Sequence, residues 1–198
     1  MSFNLTVPRR ADRQIDVPIK LGEILFILGA NGTGKSGLMH KLYVDNKNNA
    51  RRISAYRQIS LPEDLIDVSP KSKKDMENQI EHEDRNPQSR WKDRFSQFRP
   101  NIAIYDLTEA ENSRARSIAA AADKKDMELV KTLSEEEESK IKVINTLLSD
   151  SNIPIEISID DSSGQMLASK RGSSSYSIAE LSDGERNALL IAANVLTV

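Results

Sequence analysis

Glu23-Ile24-Leu25-Phe26-Ile27-Leu28-Gly29-Ala30-Asn31-Gly32-Thr33-Gly34-Lys35-Ser36 is the stretch that decides how this 198-residue chain reads. Its second half satisfies G-x-x-x-x-G-K-[ST] without substitution. Gly29, Gly32 and Gly34 let the backbone curl so that several N–H groups turn inward. A helix opening near Gly34 adds the positive end of its dipole. Residues Gly29, Ala30, Asn31, Gly32, Thr33, Gly34, Lys35 and Ser36 therefore read as a phosphate cradle. Lys35 reaches the β- and γ-phosphates, and the Ser36 hydroxyl serves as a Mg²⁺ ligand.

The flanks support that reading. The apolar run 23–28 enters the motif as a strand covered on both faces, and Leu38, Met39 and Leu42 leave it at helical spacing. Upstream, Phe3, Leu5 and Val7 alternate with polar residues, as do Ile15, Val17 and Ile19, so two half-buried strands precede the cradle. Downstream, the polar run 45–49 breaks the helix and residues 51–56 read as a short strand. Gln58 follows it directly, within reach of the metal or of an attacking water, or else simply exposed at a strand end.

From residue 62 the character changes. Pro62, Pro70, Pro87 and Pro100 punctuate a polar, charged segment that reads as an insertion or lid. Within it, Arg90-Trp91-Lys92-Asp93-Arg94-Phe95-Ser96-Gln97-Phe98-Arg99 mixes aromatic and basic residues. That combination stacks bases and holds phosphates, but Trp91, Phe95 and Phe98 at helical spacing read more simply as a docking segment. Helical patterns follow, through the alanine-rich run from Ser117 and into a second helix that Ser134-x-x-Glu137 is expected to cap. Ile153, Ile155, Ile157 and Ile159 then alternate as a strand, with residues 165–171 returning as its hairpin partner.

Composition removes several classes of function. With no cysteine there is no disulfide, thiolate zinc site or cysteine nucleophile, and His40 and His82 are too few and scattered for a metal cluster. A net charge of −2 gives no overall basic footprint for nucleic acid. There is no apolar run of about 18 residues, the length of a membrane span, and no signal peptide pattern, so the expected location is cytoplasmic.

Near the C-terminus, Leu181-Ser182-Asp183-Gly184-Glu185-Arg186 leads into a helix with Leu189, Leu190, Ala193 and Leu196 on its apolar stripe. Ser182-x-x-Glu185 is a capping box by itself. Gly184 is not needed for that box; a glycine in a first helical turn suits close approach of another group to its backbone.

Together the two motifs resemble the Walker A loop and signature motif of ABC-type ATPases, an α/β P-loop NTPase fold with a mixed sheet around the Walker A strand–loop–helix and a helical insertion. The segments Ala55-Tyr56-Arg57-Gln58, Ser89-Arg90-Trp91-Lys92-Asp93 and Ile153-Pro154-Ile155-Glu156-Ile157 look similar to soluble SMC-like and anti-phage defence members, including the PtuA-like component of Septu. The resemblance implies ATP and Mg²⁺ as cofactors, with Ser36 and a Q-loop Gln58 at the metal. It also implies a head-to-tail homodimer or higher oligomer in which Ser182, Asp183, Gly184 and Glu185 of one copy meet the γ-phosphate held by another.

In a defence complex the ATPase cycle would control a nuclease partner. The alternatives are an SMC-like ATPase acting on DNA structures and a nucleotide-dependent assembly module that does not hydrolyse. The expected layout is an N-terminal ATPase lobe over 1–61, an insertion over 62–150, and a hairpin with the signature helix over 151–198. The catalytic Glu of the Walker B strand, which follows the signature in this family, is expected beyond Val198. Asp106 and Glu109 are the nearest imitation of that carboxylate pair, within a helical pattern.

Overall fold

Alternating apolar residues build two antiparallel hairpins in the computed structural model, which describes residues 2–8, 13–53, 61, 68–135, 138–170 and 173–197. The first joins β1 (Ser2–Pro8) to β2 (Gln14–Lys20), in the register Leu5↔Val17 and Val7↔Ile15 that their shared period of two predicts. Thr6 Oγ1 donates across it to Asp16 Oδ1 at 2.9 Å. The second joins β3 (Ile155–Ile159) to β4 (Met166–Lys170), and the short β5 (Tyr176–Ser177) pairs with β4 to complete a three-stranded sheet in the order β3-β4-β5. At its turn, Asp160 accepts hydrogen bonds from the Ser162 and Ser163 side chains and amides, which hold its pKa down at about 2.

The helices are α1 (Lys35–Asp45), α2 (Pro70–Asp84), α3 (Phe98–Asp123), α4 (Met127–Glu135), α5 (Lys140–Asp150) and α6 (Asp183–Leu196). The chain divides into two compact units, Met1–Arg52 with Glu81–Arg94, and Ile53–Ile80 with Phe95–Val198.

The second unit holds the apolar core. Leu107 from α3, Ile144 from α5, Ile157 from β3 and Leu189 from α6 are all at most 1% exposed and belong to one cluster. Burying such side chains is worth about 1.5–3 kcal/mol each. The outer edge of β3 is not left open, because the Asn145 side chain from α5 both donates to the Ile157 carbonyl and accepts from its N–H, at 2.8 Å each.

The first unit is built differently. α1 packs against β1, with Leu42 buried. Among the described residues its other buried groups are polar: Glu83, Asp84 and Ser89. Arg52 binds Asp84 Oδ1 at 2.8 Å, Ser89 Oγ at 3.1 Å and the Ser89 carbonyl at 2.7 Å, tying the segment after α1 to the end of α2.

Several expectations are corrected. The central strand over residues 23–28 does not form: no described strand pairs with it, and Ile24, Phe26 and Leu28 are 78%, 75% and 87% exposed. An apolar run becomes a strand only when neighbours take its N–H and C=O groups, so composition could not secure one here. The mixed sheet expected around the cradle is accordingly represented among the described residues by the two small antiparallel sheets.

Ser134 does not start a helix either; it lies in the last turn of α4 and its hydroxyl donates to the Val130 carbonyl at 2.6 Å. The start of α5 is capped by Ser139 and, from α3, by the Glu111 carboxylate, which accepts from the amides of Lys140 and Ile141. Trp91 does not dock: it is 63% exposed, while Phe95 and Phe98 stack at 5.5 Å. Residues 51–53 form no strand, and the rest of the strand expected over 51–56 lies outside the described residues, as does Gln58.

Candidate functional site

Residues 29–36 fold into a tight loop opening onto α1. Gly32 and Gly34 hold φ values of 81° and 88°, in the left-handed region where an L side chain is strained. The Thr33 hydroxyl donates back to the Ala30 carbonyl at 2.8 Å, and a Cβ at Gly29 would meet that hydroxyl oxygen at 2.9 Å. Gly29 is thus fixed by space and Gly34 by backbone geometry. Lys35 folds over the loop, its Nζ donating to the Gly29 and Ala30 carbonyls at 2.8 Å each.

What α1 lacks is as informative as what the loop contains. Its N-cap is Gly34, no side chain caps it, and its first turn carries no acidic residue. The leading amides of a helix have no intrahelical acceptor, and the positive end of α1 meets no counter-charge from its own first turn. The Ser36 hydroxyl makes no hydrogen bond among the described residues. These features fit a phosphate with its metal: free amides and the Lys35 ammonium supply donors, and Ser36 supplies an uncommitted oxygen.

Behind the loop lies His40 on α1, whose Nδ1 is buried without a hydrogen-bond partner. Burial lowers its pKa, the positive fields of Arg52 and Arg90 lower it further, and Asp84 opposes them. His40 is therefore held toward its neutral form. Among the described residues no group of His, Asp and Glu could hold a metal ion by itself.

The start of α6 is the opposite case. Ser182 accepts from the Glu185 N–H at 3.4 Å while Glu185 accepts from the Ser182 N–H at 2.9 Å and from its hydroxyl at 2.7 Å, a complete capping box. Lys170 Nζ lies 3.0 Å from the other Glu185 oxygen. Partial burial works to raise the Glu185 pKa, but the Ser182 hydrogen bonds and Lys170 outweigh it and hold the carboxyl below its ordinary value. Arg186 donates to the Ala179 and Leu181 carbonyls and sits 3.6 Å from Asp183, so both first-turn carboxylates of α6 have a cation beside them.

A Cβ at Gly184 would meet nothing within 4 Å, which leaves that backbone open to approach. The structure thus brings Ser182 and Glu185 together in their local role and leaves the amides of Asp183 and Gly184 uncapped.

Asp106 and Glu109 are brought to no strand end. Both lie on α3, Asp106 against Lys73 at 2.6 Å and Glu109 against Arg116 at 2.5 Å. The Arg52–Asp84–Ser89 knot was not anticipated from sequence. Its members are 32 and 37 residues apart, and no local pattern links them.

A family model described as ABC transporter matches residues 13–156, most of the chain and the whole of the glycine-rich loop. The chain belongs to the ABC transporter family. It is an ABC-type nucleotide-binding ATPase module with the P-loop NTPase fold, and members of this family generally bind ATP with Mg²⁺ and hydrolyse it. The match stops short of residues 181–186, so the signature reading rests on those residues themselves. No curated protein and no solved structure was found to match the chain. Among the described residues no helix is long and apolar enough to cross a membrane.

Proposed function

We propose that this ABC-type ATPase binds Mg²⁺-ATP in the loop 29–36 and that the nucleotide draws a second copy onto it. The observation that carries the reading is the uncapped, carboxylate-free start of α1 beside Lys35. Lys35 exchanges the Gly29 and Ala30 carbonyls for the outer phosphates, and Ser36 holds Mg²⁺. Gln58 is the proposed second protein ligand of the metal. In the partner copy, Ser182 turns its hydroxyl from Glu185 toward the γ-phosphate, and the open backbone of Gly184 permits the approach. The resemblance to PtuA-like defence ATPases supports a role in which this closure holds or releases a nuclease.

The test is a titration of the 198-residue chain with Mg²⁺-ATP, following affinity, mass and phosphate release together. Wild type binds and doubles in mass. Lys35→Ala loses affinity by more than roughly a hundredfold, the scale of removing charge-assisted hydrogen bonds to a triphosphate. Ser182→Arg binds as a monomer but does not dimerise. Retained affinity in Lys35→Ala sinks the cradle, and loss of monomer binding in Ser182→Arg sinks the role in trans. Salt-sensitive DNA binding with DNA-stimulated turnover would replace the defence reading by the DNA-structure one.

A further inference from the structure

The first turn of α1 has a neighbour that the glycine-rich motif does not include. Gly37 is the third residue of the helix, and a Cβ built on it would lie 3.2 Å from Arg90 Nη1. Helical Cα–Cβ bonds tilt toward the N-terminus, so the place a side chain at 37 would cover lies over the turn before it, beside the amides that open the helix. The Arg90 guanidinium occupies that place.

Its position is restrained from two sides. Arg90 Nε donates to the Pro87 carbonyl at 2.9 Å, and the guanidinium lies 4.8 Å from the centroid of the Trp91 ring. The exposed Trp91 thus serves as a platform for a cation, the favourable arrangement of a guanidinium over an indole face. No carboxylate pairs with Arg90 among the described residues, and its field reaches α1 strongly enough to lower the His40 pKa.

Electrostatics then pose a question that the protein groups alone do not answer. The N-terminal end of a helix is its positive end, where a cation is unfavourable. Here Arg90 and Lys35 each lie beside the first turn of α1, which has no side-chain cap and no acidic residue. An anion bound at this helix start would offset that unfavourable arrangement.

We infer that Arg90 is a second cation of the nucleotide site, donating to the phosphates bound at the start of α1, with Gly37 kept side-chain-free to admit the guanidinium and Trp91 orienting it. This rests on the proposal that residues 29–36 bind ATP.

Two measurements test it on the full chain. Arg90→Gln raises the Kd for Mg²⁺-ATP roughly tenfold, the scale of one lost charge-assisted hydrogen bond, and Arg90→Lys restores most of the loss. The second reads the native residue: Mg²⁺-ATP protects Arg90 of the wild-type chain from phenylglyoxal, read by peptide mass, and the protection disappears in the Lys35→Ala control. An Arg90→Gln chain that is folded by circular dichroism and binds ATP like wild type, or an Arg90 modified equally fast with and without ATP, overturns the role of Arg90 and leaves the loop standing. A wild-type chain that binds no ATP overturns the loop itself.

Discussion

α1 and α6 are both led by a glycine-containing motif, yet their starts are built in opposite ways. α1 opens from a left-handed glycine with no side-chain cap and no carboxylate in its first turn. α6 opens from a closed capping box whose carboxylates each have a cation beside them. An exposed cap is worth about 1 kcal/mol of stability, and α1 goes without it. The difference teaches that a binding end and a stabilising end of a helix are alternatives at the level of the same few amides. A helix that must offer its N–H groups to a ligand cannot satisfy them internally. On the proposed reading, α6 resolves the conflict by division: the box takes the Ser182 and Glu185 amides and leaves those of Asp183 and Gly184.

The sharpest way to break this comparison is at Gly34. Its Cβ would meet nothing within 4 Å, so Gly34→Ala meets no steric resistance and its whole effect comes from φ. A left-handed alanine costs about 1–2 kcal/mol, so denaturant melts should show that loss, together with weaker ATP binding as the loop leaves its geometry. Ser182→Ala, by contrast, opens the box on α6 and should lower stability by about 1 kcal/mol in the same melts without touching monomer affinity for ATP.

Gly184→Ala should move stability the other way. The position is helical with open space around it, so alanine should add about 0.5–1 kcal/mol. If a phosphate approaches this backbone from another copy, the same change weakens ATP-driven dimerisation measured by sedimentation. Stability and dimerisation rising together would remove the close-approach reading of Gly184.

The smallest effect is pH dependence at the box. The folded pKa of Glu185 is depressed, so its contribution is full above the unfolded carboxylate value and is lost as pH falls through the folded one. Acid titration of stability below about pH 4.3, the unfolded glutamate value, should therefore flatten in Glu185→Gln, which keeps an acceptor for the Ser182 amide. His40 acts in the first unit at higher pH. Its lowered pKa gives stability present above about 6.5, the unfolded value, and lost as pH falls toward the folded value.

Local patterns carried much of this molecule in the sequence. Period-two alternation gave the strands of the first hairpin and the whole of the second, Ser182 and Glu185 three residues apart gave the capping box, and the spacing of Gly29, Gly34, Lys35 and Ser36 gave the loop. What escaped depended on partners distant in the chain. Residues 23–28 have the composition of a buried strand but no described ladder partner. Ser134 and Ser139 both precede glutamate or helix-forming residues, and the choice between them was made by Glu111 from another helix. Arg90 and Trp91 were visible as an aromatic and basic pair. On the inference drawn for Arg90, only its placement against Gly37 distinguishes a phosphate contact from a docking segment.

Residues 21–28 also bear on self-association of the chain. Leu21, in the turn after β2, and Ile24, Phe26 and Leu28 beyond it lie largely exposed on a stretch whose backbone joins no described ladder. A β-prone, apolar segment with free N–H and C=O groups is a template for edge-to-edge pairing between molecules. The only charge within it is Glu23, whose carboxylate accepts from the Lys20 amide at 2.8 Å, at one end of the run. This exposed stretch is therefore expected to promote self-association at high concentration, which light scattering of the wild-type chain against Phe26→Lys checks.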